Sequence, residues 1–283
     1  MRVPGRPLGR VTPIVTERRL DWPDLRNARD LGGLPLAGGG AIRPGAVARS
    51  DTPRQLTPSG WRALEAYGIR TILDLRFQAE VDANEPLDAG PGGLSRELAA
   101  GGTDGAAIRA DVRTVFVSIL GEPDRTLGER FDGISKAQPD EAGSTRAVYL
   151  EMLELFRPRF VRAVKSIADA EEGGVLVHCH AGKDRTGLVV ALLLGVVGVS
   201  ADAIAADYAL SGPNLAASLS AWIDEVDDSE EREHRRRVGL SPERAMVDVL
   251  ESLDQRYGGA AGYLGGGGMP EHDIDRLRER LVA

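Results

Sequence analysis

This chain of 283 residues has one cysteine, Cys179, and only three lysines, Lys136, Lys165 and Lys183. A lone thiol has no partner within the chain, so no intramolecular disulfide forms and folding does not call for an oxidising compartment. Long apolar runs are also missing. Residues 1–19 carry arginines and prolines but no hydrophobic stretch of signal-peptide length, and the apolar segment from Leu188 to Val199 is too short to span a bilayer. No integral membrane segment is expected. A reducing cytoplasm is the expected location, with export by a non-classical route left open. Positive charge is outnumbered, 35 Lys and Arg against 43 Asp and Glu, for a formal net charge of −8. That balance gives no broad attraction to nucleic acid or an anionic membrane, so any anion binding has to be local. Internal repeats are absent. A hydrophobic content of 42% with 28% charged residues is ordinary for a globular chain of a size that buries a sizeable core.

The cysteine stands where an apolar strand-like run, Val175 to Val177, meets an apolar helix-like run beginning at Leu188. The residues between them, His178-Cys179-His180-Ala181-Gly182-Lys183-Asp184-Arg185-Thr186-Gly187, form a strand-to-helix loop. Amides at a helix N-terminus are unpaired and carry partial positive charge, which binds tetrahedral anions and favours a thiolate over a thiol. Five residues separate Cys179 from Arg185, a spacing that curls the guanidinium back over an anion held above the sulfur. Its planar fork takes two phosphate oxygens at once. Gly182 permits a positive φ in the tight turn, Gly187 permits close packing of the new helix, and Thr186 is placed to donate to the sulfur or the leaving group. Buried cysteines are usually small hydrophobes, but that reading leaves Arg185 and Thr186 unexplained. Zinc is discounted, because adjacent His-Cys-His residues do not wrap one ion tetrahedrally. A nucleotide-binding loop is discounted too, because the glycine needed five residues before Gly182 is Val177.

The same ten residues resemble the signature of the cysteine phosphatases of the bacterial protein-tyrosine-phosphatase-B type. The segment Asn27 to Gly33 is similar to that family's Asn-x-Arg-Asp-Leu-Gly-Gly. Further similar landmarks are Arg49-Ser50-Asp51, Asp74-Leu75-Arg76 with Glu80, Asp207-Tyr208 to Ser211, and Tyr257-Gly258-Gly259 to Tyr263-Leu264. The resemblance covers about residues 20 to 283. It implies an α/β cysteine-phosphatase fold: a central, mostly parallel sheet flanked by helices, with a lid-like insertion and a helical C-terminal part. The expected organisation is an N-terminal extension over 1–19 and a single phosphatase domain over 20–283, with the insertion or lid at about 88–145 and the helical part at 201–283.

Local patterns agree with a βαβ rhythm. Ala46 to Arg49 and Thr71 to Leu75 read as strands, and Thr57-Pro58 opens a helix running to Tyr67. Ala106 to Leu120 reads as an amphipathic helix, Gly121 to Gly143 as turn-rich, and Thr145 to Ala170 as helical. Breaks are expected at Gly212-Pro213, Ser241-Pro242 and Gly258-Gly259, with Gly265 to Gly268 as a flexible connection. The run Glu230 to Arg237 reads as a solvated helix face or a charged linker.

The chemistry expected is two-step hydrolysis of a phosphate monoester without cofactor or metal. Cys179 is the nucleophile and Arg185 the transition-state clamp, while His180, Ala181, Gly182, Lys183 and Asp184 line the phosphate site. For the general acid, Asp184 is preferred over Asp104. His178, Thr186, Asn27, Asp30 and Asp74 are expected in supporting roles, and Arg76 and Glu80, four apart, as a helix-start salt bridge. Phosphorylated proteins are the expected substrates. Lys183 gives the loop a Cys-x-x-Gly-Lys-x-Arg form similar to that of lipid phosphatases, which adds phosphoinositides. The alternative is that Lys183 simply pairs with Asp184. Other classes left open are a phosphate-binding pseudophosphatase and a sulfurtransferase. Oligomeric state is not legible.

Overall fold

In a computed structural model the described residues are 18–82, 112–122 and 124–283. A five-stranded sheet lies at the centre, in the order β1-β2-β5-β3-β4. Its strands are β1 (Arg29–Asp30), β2 (Val47–Ser50), β3 (Ile69–Asp74), β4 (Arg113–Phe116) and β5 (Gly174–His178). Only β1 runs antiparallel, against β2, and every other pairing is parallel.

Strand alternation divides the core in two. Side chains of successive strand residues point to opposite faces, so Val175 and Val177 of β5 join Val47 and Leu73 in a large cluster. Leu176 joins Ala48 and Ile72 on the other face. The large face packs against α4 (Glu141–Leu155), α5 (Arg157–Ala168) and α6 (Asp184–Val196), and behind them α7 (Ala201–Ala209) and α10 (Glu243–Tyr257). The small face is covered by α1 (Pro58–Ala66) and the N-terminal segment, through Trp22, Leu25, Trp61 and Leu64. Helix α6 is buried almost all round, as its unbroken run Leu188 to Leu194 requires.

Helix ends follow local chemistry. Thr57 accepts from the Gly60 amide at the start of α1, with Pro58 in the first turn, and Asp140 caps α4 through the Gly143 amide. Gly258 closes α10 in the left-handed conformation, φ 72°.

Several expectations are corrected. The helix predicted to end at Leu120 is not one where it is described, since Arg113–Phe116 form edge strand β4 on β3. Thr114, Val115 and Phe116 are residues that fit a pleated surface, and the β3 edge offers them a ladder. The turn-rich stretch after Gly121 contains α3 (Arg125–Lys136), capped by Asp124. The helix predicted over Thr145 to Ala170 is two helices, α4 and α5, parted at Phe156, just before Pro158. Gly265 and Gly266 are no loose connection but the last turn of α11 (Ala260–Gly266). A Cβ on Gly266 would lie 2.4 Å from the Arg157 guanidinium, and one on Gly267 2.7 Å from Val161, so the glycines admit close packing. Arg18, within the N-terminal extension expected over 1–19, is buried and pairs with Asp207 at 2.8 Å.

The remaining helices are α2 (Gln78–Asp82), α8 (Ser211–Asp224), α9 (Ser229–Gly239) and α12 (Glu271–Leu281). The charged run 230–237 lies in α9, which buries none of its residues, as a solvated helix should. No described helix is long and apolar enough to cross a membrane.

Leu176, fully buried in the central strand, is the link between β5 and the small core. Leu176→Ala is expected to lower unfolding free energy by about 2–5 kcal/mol, measured by urea denaturation.

Candidate active site

The parallel strands end in register, Ser50 and Asp74 both opposite His178. Ligands of parallel sheets bind beyond this carboxyl edge, and the loop from Cys179 to Lys183 crosses it into α6.

The loop's carbonyls all find donors on its outer side. His178 Nδ1 donates to Cys179 O at 2.9 Å, and the Thr52 amide to His180 O at 2.8 Å. Asn27 Nδ2 donates to Ala181 O at 3.0 Å and to Gly182 O at 3.2 Å. Arg49 Nη2 reaches Gly182 O at 2.8 Å and Lys183 O at 3.5 Å, and the Gly187 amide also donates to Lys183 O, at 2.8 Å. In a planar trans peptide the N–H points opposite to the carbonyl. Carbonyls turned outward therefore turn the amides of residues 180 to 184 towards the space above Cys179. Gly182 makes the turn with φ 68°, and a Cβ there would stand 2.2 Å from Ser50 O. At Gly187 a Cβ would meet the Tyr208 ring at 3.1 Å, so α6 leaves the loop pressed against α7.

Cys179 is buried at 3% exposure, and Thr186 Oγ1 is buried with no hydrogen-bond partner among the described residues. Arg185, in the first turn of α6, is gripped by Glu80 of α2: Nη1 lies 2.5 Å from Oε2 and Nη2 lies 2.9 Å from Oε1. Its guanidinium stacks 5.0 Å from the Phe77 ring centroid. Burial disfavours the Arg185 charge, but the Glu80 hydrogen bonds and the Cys179 charge outweigh it and hold its pKa above the ordinary arginine range. Burial likewise opposes ionised Glu80, and Arg185 overturns that, holding Glu80 below the usual carboxylate range.

Asp184 Oδ1 accepts from Tyr149 Oη and from Lys183 Nζ, each at 2.6 Å. Tyr149 Oη also touches Tyr208 Oη at 2.9 Å. Lys183 Nζ donates further to Val238 O at 3.0 Å and Leu240 O at 3.2 Å, carbonyls where α9 ends. Burial works against its charge, and Asp184 more than offsets this, raising its pKa. His178 is pulled down by burial, against the pull of Asp74, whose Oδ2 lies 3.8 Å from Nε2.

The structure gathers Cys179, His180, Ala181, Gly182, Lys183, Asp184, Arg185, Thr186, His178 and Asn27 into one loop and its backing. Asp74 ends β3 beside His178 and is bound mainly to Arg76, at 2.6 Å. Asp30 engages the Gly32 and Gly45 amides and Tyr67 Oη, and no loop residue. Asp104 lies outside the described residues. The salt bridge expected between Arg76 and Glu80 is not formed: Arg76 is taken by Asp74 and meets only the Glu80 carbonyl, at 3.3 Å, while the Glu80 carboxylate holds Arg185. Sequence reasoning assigned no site role to Arg49, Tyr149 or Asp207. Their signal was the presence of Arg49 and Asp207 within motifs similar to the family's, with no chemistry attached.

A single cysteine ringed by inward amides, with an arginine locked at the following helix start, defines a cysteine-dependent phosphatase. The chain belongs to the tyrosine phosphatase family, whose model matches residues 20–283. It is similar to the triple specificity protein phosphatase PtpB of Mycobacterium tuberculosis, 32% identical over 280 residues, covering 93% of this chain and 98% of that protein. It is also similar to a tyrosine-protein phosphatase of Nostoc commune, 30% identical over 247 residues, covering 85% of this chain and 76% of that one.

Two outcomes are expected. Gly182→Ala forces a strained φ and a clash with Ser50 O, and should weaken phosphate binding by ~10-fold or more in isothermal titration. Because Glu80 is depressed by Arg185, its contribution to stability is full above the ordinary glutamate pKa and is lost as pH falls through its folded value. The stability gap between the native protein and Glu80→Gln, measured by urea denaturation, should therefore narrow from pH 7 towards pH 3.

Proposed function

We propose that this protein hydrolyses phosphotyrosine and phosphoserine or phosphothreonine in proteins, and phosphoinositides besides, through a phosphocysteine at Cys179. What supports this reading is the loop itself: its carbonyls are satisfied outward and its amides converge on the chain's one thiol, with Arg185 fixed beside it.

Substrate phosphorus meets the Cys179 thiolate. An S–P bond forms as the P–O bond to the leaving group breaks, and the loop amides with Arg185 hold the three equatorial oxygens. To take them, Arg185 keeps its orientation through Glu80. The leaving oxygen receives a proton from Asp184. Its Oδ1 is bound by Tyr149 and Lys183, which leaves Oδ2 to carry that proton. Water then attacks phosphorus, Asp184 takes the proton back, the S–P bond breaks, and the thiolate returns. Thr186 Oγ1, buried without a hydrogen-bond partner among the described residues, donates to the sulfur as it leaves. Residues 20–283 act as one phosphatase domain in the reducing cytoplasm, and the lid expected at about 88–145 excludes residues 113–116, which belong to the central sheet as β4. The phosphoinositide part of the reading rests on the triple specificity in the name of the Mycobacterium tuberculosis relative, not on Lys183, whose Nζ is taken up by Asp184, Val238 O and Leu240 O.

Cys179→Ser should reduce turnover of phosphotyrosine peptide by ~10⁴-fold or more while peptide binding persists; near-native hydrolysis would overturn the nucleophile assignment. Asp184→Asn should lower kcat by ~10²–10⁴-fold and abolish the alkaline limb of its pH profile. An unchanged profile would transfer the role to Asp104. The contact of Lys183 with Asp184 predicts that Lys183→Ala costs a similar factor on phosphotyrosine peptide and on soluble phosphoinositide. A loss confined to phosphoinositide would instead make Lys183 a specificity residue.

A further inference from the structure

Behind the loop, three guanidinium groups share one carboxylate. Asp207, fully buried in α7, pairs with Arg18 at 2.8 Å, Arg29 at 3.2 Å and Arg49 at 3.0 Å. Arg29 and Arg49 are themselves buried, and Nε of both Arg18 and Arg49 has no hydrogen-bond partner among the described residues. Burial, and after it the charge of Arg49, pulls Arg29 down to about 9. An excess of buried positive charge with unmade hydrogen bonds opposes stability, so the cluster calls for another explanation.

Arg49 supplies one. Its Nη1 is fixed on Asp207, and its Nη2 bonds Gly182 O and Lys183 O. These carbonyls belong to the peptide units whose N–H groups are those of Lys183 and Asp184, two of the amides directed at the anion. A charged donor on a carbonyl polarises the whole peptide unit and strengthens its N–H as a donor. By contrast, His180 O, the carbonyl of the unit carrying the Ala181 N–H, accepts from the neutral Thr52 amide.

We infer that Arg49, steadied by Asp207, is a positioning residue that conveys buried positive charge through the Gly182 and Lys183 peptide units to the anion bound above Cys179. This deepens the phosphatase reading and rests on it. Arg49 never touches substrate; it sets the direction and the donor strength of two amides.

The test compares Arg49→Lys, which keeps a charge but not the fork, with Arg49→Met, which removes both. Folding is checked by near-ultraviolet circular dichroism. In the folded variants the inhibition constant for inorganic phosphate should rise ~10-fold or more in Arg49→Met and by a smaller factor in Arg49→Lys, with kcat falling in the same order. Folded variants within about twofold of native in both quantities would overturn the inference. The native protein provides a second measurement free of any folding question. On saturation with inorganic phosphate, the Lys183 and Asp184 amide protons should move further downfield than that of Ala181, and an equal or smaller movement would overturn the inference. If instead Cys179→Ser retains hydrolysis, the phosphatase reading fails, whatever Arg49 does.

Discussion

A loop that binds a phosphate with its amides must point its carbonyls elsewhere, and each of those carbonyls must be met by a donor. Here the donors come from distant parts of the chain: Asn27 from the N-terminal segment, Arg49 from β2, Thr52 just beyond it, and His178 from the strand before the loop. An unmet buried carbonyl costs on the order of 1–3 kcal/mol, so the loop holds its shape only when the sheet has formed and the N-terminal segment has docked. Catalytic geometry and folding are therefore coupled. The register that places Ser50 and Asp74 opposite His178 brings these donors to the carboxyl edge.

Charge in the site is arranged in two ways. In front, ionic groups are matched: Arg185 with Glu80, and Lys183 with Asp184. Matching fixes the direction of each side chain. Behind the loop, one aspartate serves three arginines. An acidic protein with formal net charge −8 thus concentrates positive potential at the one place where its substrate's phosphate is to bind.

The loop was legible in the sequence because its residues are contiguous: strand, cysteine, glycine, arginine and helix follow one another within a short stretch, and local rules suffice. The supporting residues are remote. Glu80 lies 105 positions from Arg185 and was read as the local partner of Arg76, because helical spacing brings such pairs together. What decided otherwise was tertiary: Asp74 captured Arg76 first. In the same way β4 was read as helix, since the edge of β3 that recruits Thr114 to Phe116 is invisible in their own pattern. The glycines at 265–268 suggested looseness by composition, while packing against Arg157 and Val161 needs the missing side chains of Gly266 and Gly267.

The central claim is that the Cys179 sulfur, cradled by these amides and Arg185, accepts the phosphoryl group itself. The most direct measurement is rapid acid quenching of the native protein during turnover of a phosphotyrosine peptide, followed by mass spectrometry of its fragments. The account predicts one phosphoryl group, on the fragment containing Cys179 and localised to that residue. Turnover with the phosphoryl group on His178, His180 or Asp184, or with none on the protein at any quench time, would contradict it.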